Sequence, residues 1–138
     1  MKTIRIFDRR LLSKYTSARK GETKLGEKIG VIPALDSLEK YSAKFVIFGI
    51  PEDIGVRANH GKAGTSAAWE SFLKAFLNVQ VNRYLDPENL ILLGEINTSQ
   101  EMEKATKIDL SDPNYHQKLG DLVEKIDQKV SEVVKAIV

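Results

Sequence analysis

The sequence predicts an α/β fold built on a parallel sheet, and three observations predict it. Two short runs, residues 45–50 and 90–93, are continuously apolar in the manner of strands buried on both faces. Each is followed by a helical pattern with one apolar face. Between the first run and its helix lies a long polar stretch rich in glycine, in the segment KFVIFGIPEDIGVRANHGKAGTS that runs from Lys44 to Ser66. In open α/β sheets ligands bind at the carboxyl ends of strands, where such loops lie.

Residues 1–43 are weakly patterned. Gly21, Gly26, Gly30 and Pro33 punctuate them, so turns and short helices are expected, with one or two helical turns over residues 36–41. The charge is unevenly spread. Residues 1–28 hold nine Lys/Arg against three Asp/Glu, a balance of +6, and residues 29–138 hold twelve against sixteen, a balance of −4. A basic arm can bind phosphates nonspecifically. No aromatic interleaving or nucleic-acid motif accompanies this one, so it reads as a solvated surface segment and no nucleic-acid partner is expected.

Residues 45–50 form the first strand, and Pro51 ends it. After the loop, Thr65 or Ser66 is the expected N-cap of a helix. Its face is Trp69, Phe72, Leu73, Phe76 and Leu77, at spacings of three and four, which makes the aromatic residues core residues first. Asp86-Pro87 marks a turn. Residues 90–93 form the second strand, ended by Gly94-Glu95, and residues 96–111 read as polar loop. Asp112-Pro113 then opens a helix, with Asp as N-cap and Pro at the first position. Its stripe is Tyr115, Leu119, Leu122, Val123, Ile126, Val130, Val133, Val134 and Ile137.

The chain of 138 residues is read as one partial α/β domain: an irregular basic segment over residues 1–43, then strand–helix–strand–helix over residues 44–138. Strand–helix–strand order implies a parallel crossover. Both strands ask for cover on two faces and the last helix asks for a sheet. The pattern therefore reads as the opening portion of a larger doubly wound domain, and its uncovered apolar surface predicts a homo-oligomer. With no cysteine, disulfides, thiolate catalysis and cysteine zinc sites are excluded. No apolar run approaches the roughly 20 residues of a membrane helix, and the N-terminus has no secretory apolar region. No membrane partner is expected, and a cytoplasmic location is.

The pieces FGIPEDIGVRANHGKAGTSAAW, NRYL, LILLGE and VEKIDQKVSEVVKAIV together resemble the arginase/agmatinase/formimidoylglutamase family, the metal-dependent ureohydrolases, and most nearly its formimidoylglutamase-like branch. They cover roughly the second two-thirds of the chain, with a gap around residues 96–114. The resemblance implies a three-layer αβα fold with a parallel sheet, and hydrolysis of a carbon–nitrogen bond in a guanidino or formimino group of a small-molecule substrate. It implies two manganese ions sharing a bridging hydroxide that attacks the planar carbon. The family draws its ligands from Gly-Gly-Gly-His, Asp-x-His-x-Asp and Asp-x-Asp segments, and none of these is present here. The resemblance therefore implies an N-terminal fragment, with no catalytic residue, no metal ligand and no cofactor of its own, inactive alone.

The resemblance puts the loop at the rim of an active-site cleft and makes Arg57, Asn59, His60 and Lys62 its substrate-binding candidates. Arg57 in a fork geometry and Lys62 as a point charge could bind a substrate carboxylate. Asn59 could equally adopt a left-handed turn and hold the loop through its own backbone. His60 has no partner motif and is not read as a ligand, and His116 reads as a solvated helix residue. Glu52 and Asp53 follow the strand, as catalytic carboxylates often do, but an adjacent pair there more often forms a turn or cap. Gly55, Gly61 and Gly64 serve left-handed turns or close approach. A rival reading takes Gly55 to Lys62, with one residue more between its glycines than GxxxxGK, as most of a phosphate-binding loop in a nucleotide-binding module. Ala63 stands where that motif needs Ser or Thr. A third reading is a non-enzymatic interaction domain.

Overall fold

The computed structural model describes residues 2–138. Its elements run β1 (Ile4–Ile6), α1 (Arg9–Tyr15), α2 (Leu25–Lys28), β2 (Phe45–Gly49), α3 (Ile54–Ala58), α4 (Ala68–Phe76), β3 (Leu90–Ile96), α5 (Ser99–Thr106) and α6 (Tyr115–Ile137). Short 3-10 helices occupy Leu35–Lys40, Thr65–Ala67 and Pro87–Asn89.

The sheet has three strands in the order β1-β3-β2. β2 and β3 pair in parallel from Phe45–Leu90 onward, as the strand–helix–strand order requires. β1 pairs antiparallel to the far end of β3, Ile4 opposite Ile96, so the sheet is mixed and not purely parallel. Gly30 extends that edge: its N–H donates to the Leu90 carbonyl at 3.0 Å, and its own carbonyl accepts from Leu92 at 2.9 Å. β3 is thus bonded on both sides along its length.

Side chains alternate across a strand, and β3 shows the consequence. Leu90 and Leu92 pack with Leu12, Leu25, Leu73 and Leu77, which brings α1, α2 and α4 onto one face. Ile91 and Leu93 pack with Ile4, Ile32 and Val133, which brings α6 onto the other. A third cluster of Ile54, Ala105, Leu119, Leu122 and Ile126 joins α3 and α5 to α6. The structure is mixed α/β, with helices on both faces of a small mixed sheet.

Several sequence expectations are corrected. The turns and short helices expected in the N-terminal segment are present as α1, α2 and the 3-10 helix Leu35–Lys40, but residues 2–43 are not irregular, since they also hold β1 and fully bury Leu12, Leu25 and Ile29. The Asp8 carboxylate accepts the Leu11 N–H at 2.8 Å and caps α1. β2 is an edge strand rather than one buried on both faces, and Phe45 is 61% exposed. β3 does not end at Gly94-Glu95. It passes through a bulge there, where Phe48 comes opposite Gly94 after Ile47 faces Leu92. Gly94 has φ +147°, and a Cβ on it would stand 1.9 Å from the Arg5 carbonyl oxygen, so only glycine lets β1 approach.

Residues 96–111 contain α5, and the loop after β2 contains α3. Neither Thr65 nor Ser66 caps α4 with its side chain, because the turn into it is a 3-10 helix starting after Gly64 at φ +120°. α6 begins at Tyr115, with Asn114 in the cap position. Asp112 instead accepts the Asn114 N–H at 2.8 Å and pairs with Lys118. The two partners hold its carboxyl below the ordinary carboxylate range, Lys118 foremost. On α4, Leu73 and Leu77 are buried as expected, but Phe72 is exposed and stacks between Trp69 and Phe76.

Candidate functional site

Parallel pairing puts the carboxyl ends of β2 and β3 side by side, so the stretch after Gly49 and the stretch after Ile96 meet. Thr98, itself buried, donates its hydroxyl to the Pro51 carbonyl at 2.7 Å and ties the two together. Trp69 lies across the end of β2: a Cβ on Gly49 would stand 2.1 Å from its indole, so glycine there makes room for the ring. The indole N–H donates to Glu95 at 2.9 Å, and Glu95 also faces Arg5 at 3.4 Å.

Asp53 governs the loop. It is buried, and its Oδ2 accepts the Gly64 N–H at 2.8 Å, closing residues 53–64 into a ring. Its Oδ1 has no hydrogen bond and stands 3.5 Å from Arg57 Nη1, too long for a good hydrogen bond, so that contact is ionic. The spacing of four brings Asp53 and Arg57 together across one turn of α3. Arg57 also donates to the Ala105 carbonyl at 3.2 Å, which fastens α3 to α5. The Tyr115 phenol, and after it Asp53, raise the guanidinium pKa above its ordinary value against the opposing effect of burial. Glu52 accepts the Gly55 N–H at 2.9 Å, the turn-forming role its sequence position suggested.

A second buried polar group stands behind the loop. Glu101 on α5 and Lys129 on α6 pair at 2.9 Å, and Lys129 also donates to the Asn97 carbonyl at 2.7 Å. Burial pushes the Glu101 carboxyl up. The Lys129 hydrogen bond, a backbone N–H and the charges of Lys129 and Lys104 outweigh it and leave the carboxyl below its ordinary range.

The four loop candidates separate into two groups. Arg57 is held inward by Asp53 and Ala105. Asn59, His60 and Lys62 are exposed at the tip. The residue with the left-handed backbone is His60, at φ +65°, and not Asn59, at φ −94°. Gly61 meets the close-approach condition, since a Cβ there would stand 2.4 Å from Val56 Cγ1, and Gly64 meets the positive-φ condition, but Gly55 needs neither. His116 is an exposed residue of α6 as expected, and its ring also lies against that of His60. The N–H groups of Arg57, Asn59, His60 and Gly61 donate to the carbonyls of Asp53, Gly55, Arg57 and Val56. Those are amides that a phosphate loop would turn toward its ligand.

Sequence reasoning did not single out Trp69 as a site residue, nor Glu95, Thr98, Glu101 or Lys129. The glycine at the end of β2 hints at the indole, but nothing local signals the Glu101–Lys129 pair across 28 residues. An open groove of ≈ 1020 Å³ runs along β1, between residues 32–35 and residues 95–99, and reaches the loop only at Pro51. Among the described residues no group of three or more His, Cys, Asp or Glu side chains could hold a metal ion. Among the described residues no helix is long and apolar enough to cross a membrane. Comparison with protein-family models, with curated proteins and with solved structures returned no match.

Proposed function

We propose that the chain supplies the opening α/β layers of a manganese-dependent, cytoplasmic C–N hydrolase of the ureohydrolase type, formimidoylglutamase-like, and has no activity by itself. One observation supports this reading above the others. The 51–64 stretch sits at the carboxyl end of a parallel strand pair, with its base locked by Asp53 and its polar tip exposed. In the parent enzyme Asn59, His60 and Lys62 face the substrate, and Arg57 positions the loop. The metal ligands come from residues beyond this chain. The edge position of β2 and the exposure of Phe45 further support association with more chain or with a second copy.

The deciding experiment is to read the gene past the codon for Val138. An open frame leading to Gly-Gly-Gly-His and Asp-x-His-x-Asp supports the proposal, and the full-length product should hydrolyse a formimino or guanidino amino-acid derivative only with manganese present. A stop codon directly after Val138 overturns it, as does an open frame without those segments.

A further inference from the structure

The chain has two histidines, 56 positions apart in sequence, and the fold brings their rings into contact. His60 stands on the turn after α3 and His116 on the first turn of α6. Their ring centroids are 3.9 Å apart and the rings are tilted by 44°. Both residues are exposed, so the pair is not assembled by burial in the core.

One ring has a backbone partner. His116 Nδ1 lies 3.2 Å from the Ala58 carbonyl oxygen. A carbonyl only accepts, so in the neutral ring Nδ1 is the protonated nitrogen and Nε2 holds the lone pair. A backbone carbonyl bonded to one ring nitrogen is the usual device that orients a metal-ligating histidine and raises the basicity of its other nitrogen.

We propose that His60 and His116 form a two-imidazole surface site for a borderline divalent cation, Zn²⁺ above all. Imidazole suits zinc, whereas manganese prefers carboxylates, and no carboxylate completes a three-ligand group among the described residues. Zinc sits about 2.0–2.1 Å from a ligating nitrogen, so the rings, 3.9 Å apart between centroids, have to swing out of face contact to turn one nitrogen each toward a shared ion. Two of its four positions then stay open to water or a small anion. The ion would clamp the end of α3 to the start of α6, beside the exposed loop tip. This site is separate from any manganese centre, and the inference does not rest on the hydrolase reading.

The test is a zinc titration of the ¹⁵N-labelled chain, read by long-range ¹H–¹⁵N correlations of the imidazole rings above the ordinary imidazole titration range. Before metal, His116 is expected as the Nδ1–H tautomer. Zinc should shift one ring nitrogen of each histidine together, saturating at one equivalent, and excess Mn²⁺ should not displace it. The thermal midpoint should rise with zinc in the wild type. That rise should vanish in His60→Asn, which keeps a residue tolerant of the left-handed backbone, and in His116→Gln. Shifts at one histidine only, or equal zinc binding by the double variant, would overturn the proposal. The wild-type ring spectra decide it even if a variant folds poorly.

Discussion

Replacing Lys129 with methionine should strand a buried charge. In the folded chain Lys129 answers Glu101 at 2.9 Å and the Asn97 carbonyl at 2.7 Å. The Glu101 side chain is only 6% exposed, and that of Lys129 21%. Methionine keeps the stem of the side chain and removes the ammonium, so the loss is electrostatic rather than a cavity. Breaking a buried pair from one side costs about 3–5 kcal/mol. The partial exposure of Lys129 lets water reach the carboxylate, which lowers the expected cost to about 2–3 kcal/mol. With a urea slope of about 1.5–2 kcal/mol/M, the midpoint should fall by about 1–2 M.

The acid limb gives a second readout. The folded Glu101 carboxyl is held below its ordinary range, so the wild-type pair contributes stability above the unfolded pKa and loses it as pH falls through the folded pKa. Without Lys129, only a backbone N–H and the Lys104 charge oppose burial, so that carboxyl moves up from its wild-type position. Acidification should then relieve part of the Lys129→Met defect, and the gap between variant and wild type should narrow at low pH. Adding Glu101→Gln to Lys129→Met should recover most of the loss at neutral pH. A single variant within about 0.5 kcal/mol of wild type, or a double variant no better than the single, would refute the reasoning.

Two glycines should respond in opposite directions. Gly94→Ala drives a Cβ against the Arg5 carbonyl at a backbone angle that L residues rarely adopt, and should cost about 3–5 kcal/mol by urea unfolding, with β1 amides losing exchange protection first. Gly120→Ala meets nothing within 4 Å inside α6 and should stabilise by about 0.5–1 kcal/mol in the same assay. Phe45→Lys places a charge on the exposed edge of the sheet, and light scattering should show less self-association at high concentration than in the wild type.

What could be read in the sequence depends on how far each element is specified by its own residues. β3 and α6 announce themselves because apolar periodicity alone specifies them: LILL fills two faces, and the spacing of Leu119, Leu122, Ile126 and Val133 fills one. β1 escapes because three residues with an arginine in the middle give no periodic signal, and its pairing is fixed by a glycine 88 positions later. α5 escapes because it buries Glu101 where a helix usually buries an apolar residue, and the side chain that makes this tolerable is Lys129, on another helix. The loop stands out by its composition, but its geometry is hidden. Asp53 and Arg57 stand at helical spacing inside a stretch with two glycines and a proline nearby, and their pairing becomes visible only once α3 exists.

The division of the loop into a fixed base and a free tip has a consequence for recognition. Asp53, Arg57, Glu52, Gly61 and Gly64 all spend their polar groups inside the chain, so the backbone of residues 53–64 is ordered before any ligand arrives. Ordering a side chain or loop on binding costs about 0.5–1.5 kcal/mol for each rotamer-rich group. A tip whose backbone is already held spares the backbone share of that cost, and leaves Asn59, His60 and Lys62 only their side chains to immobilise. Under the proposed reading Arg57 would act on a ligand through the loop's shape rather than by touching it, and Lys62 is the loop's exposed cation, free of any ion pair among the described residues. Removing the Lys62 charge should weaken an anionic ligand without loosening the fold, whereas removing Arg57 should loosen the fold first and binding only as its consequence.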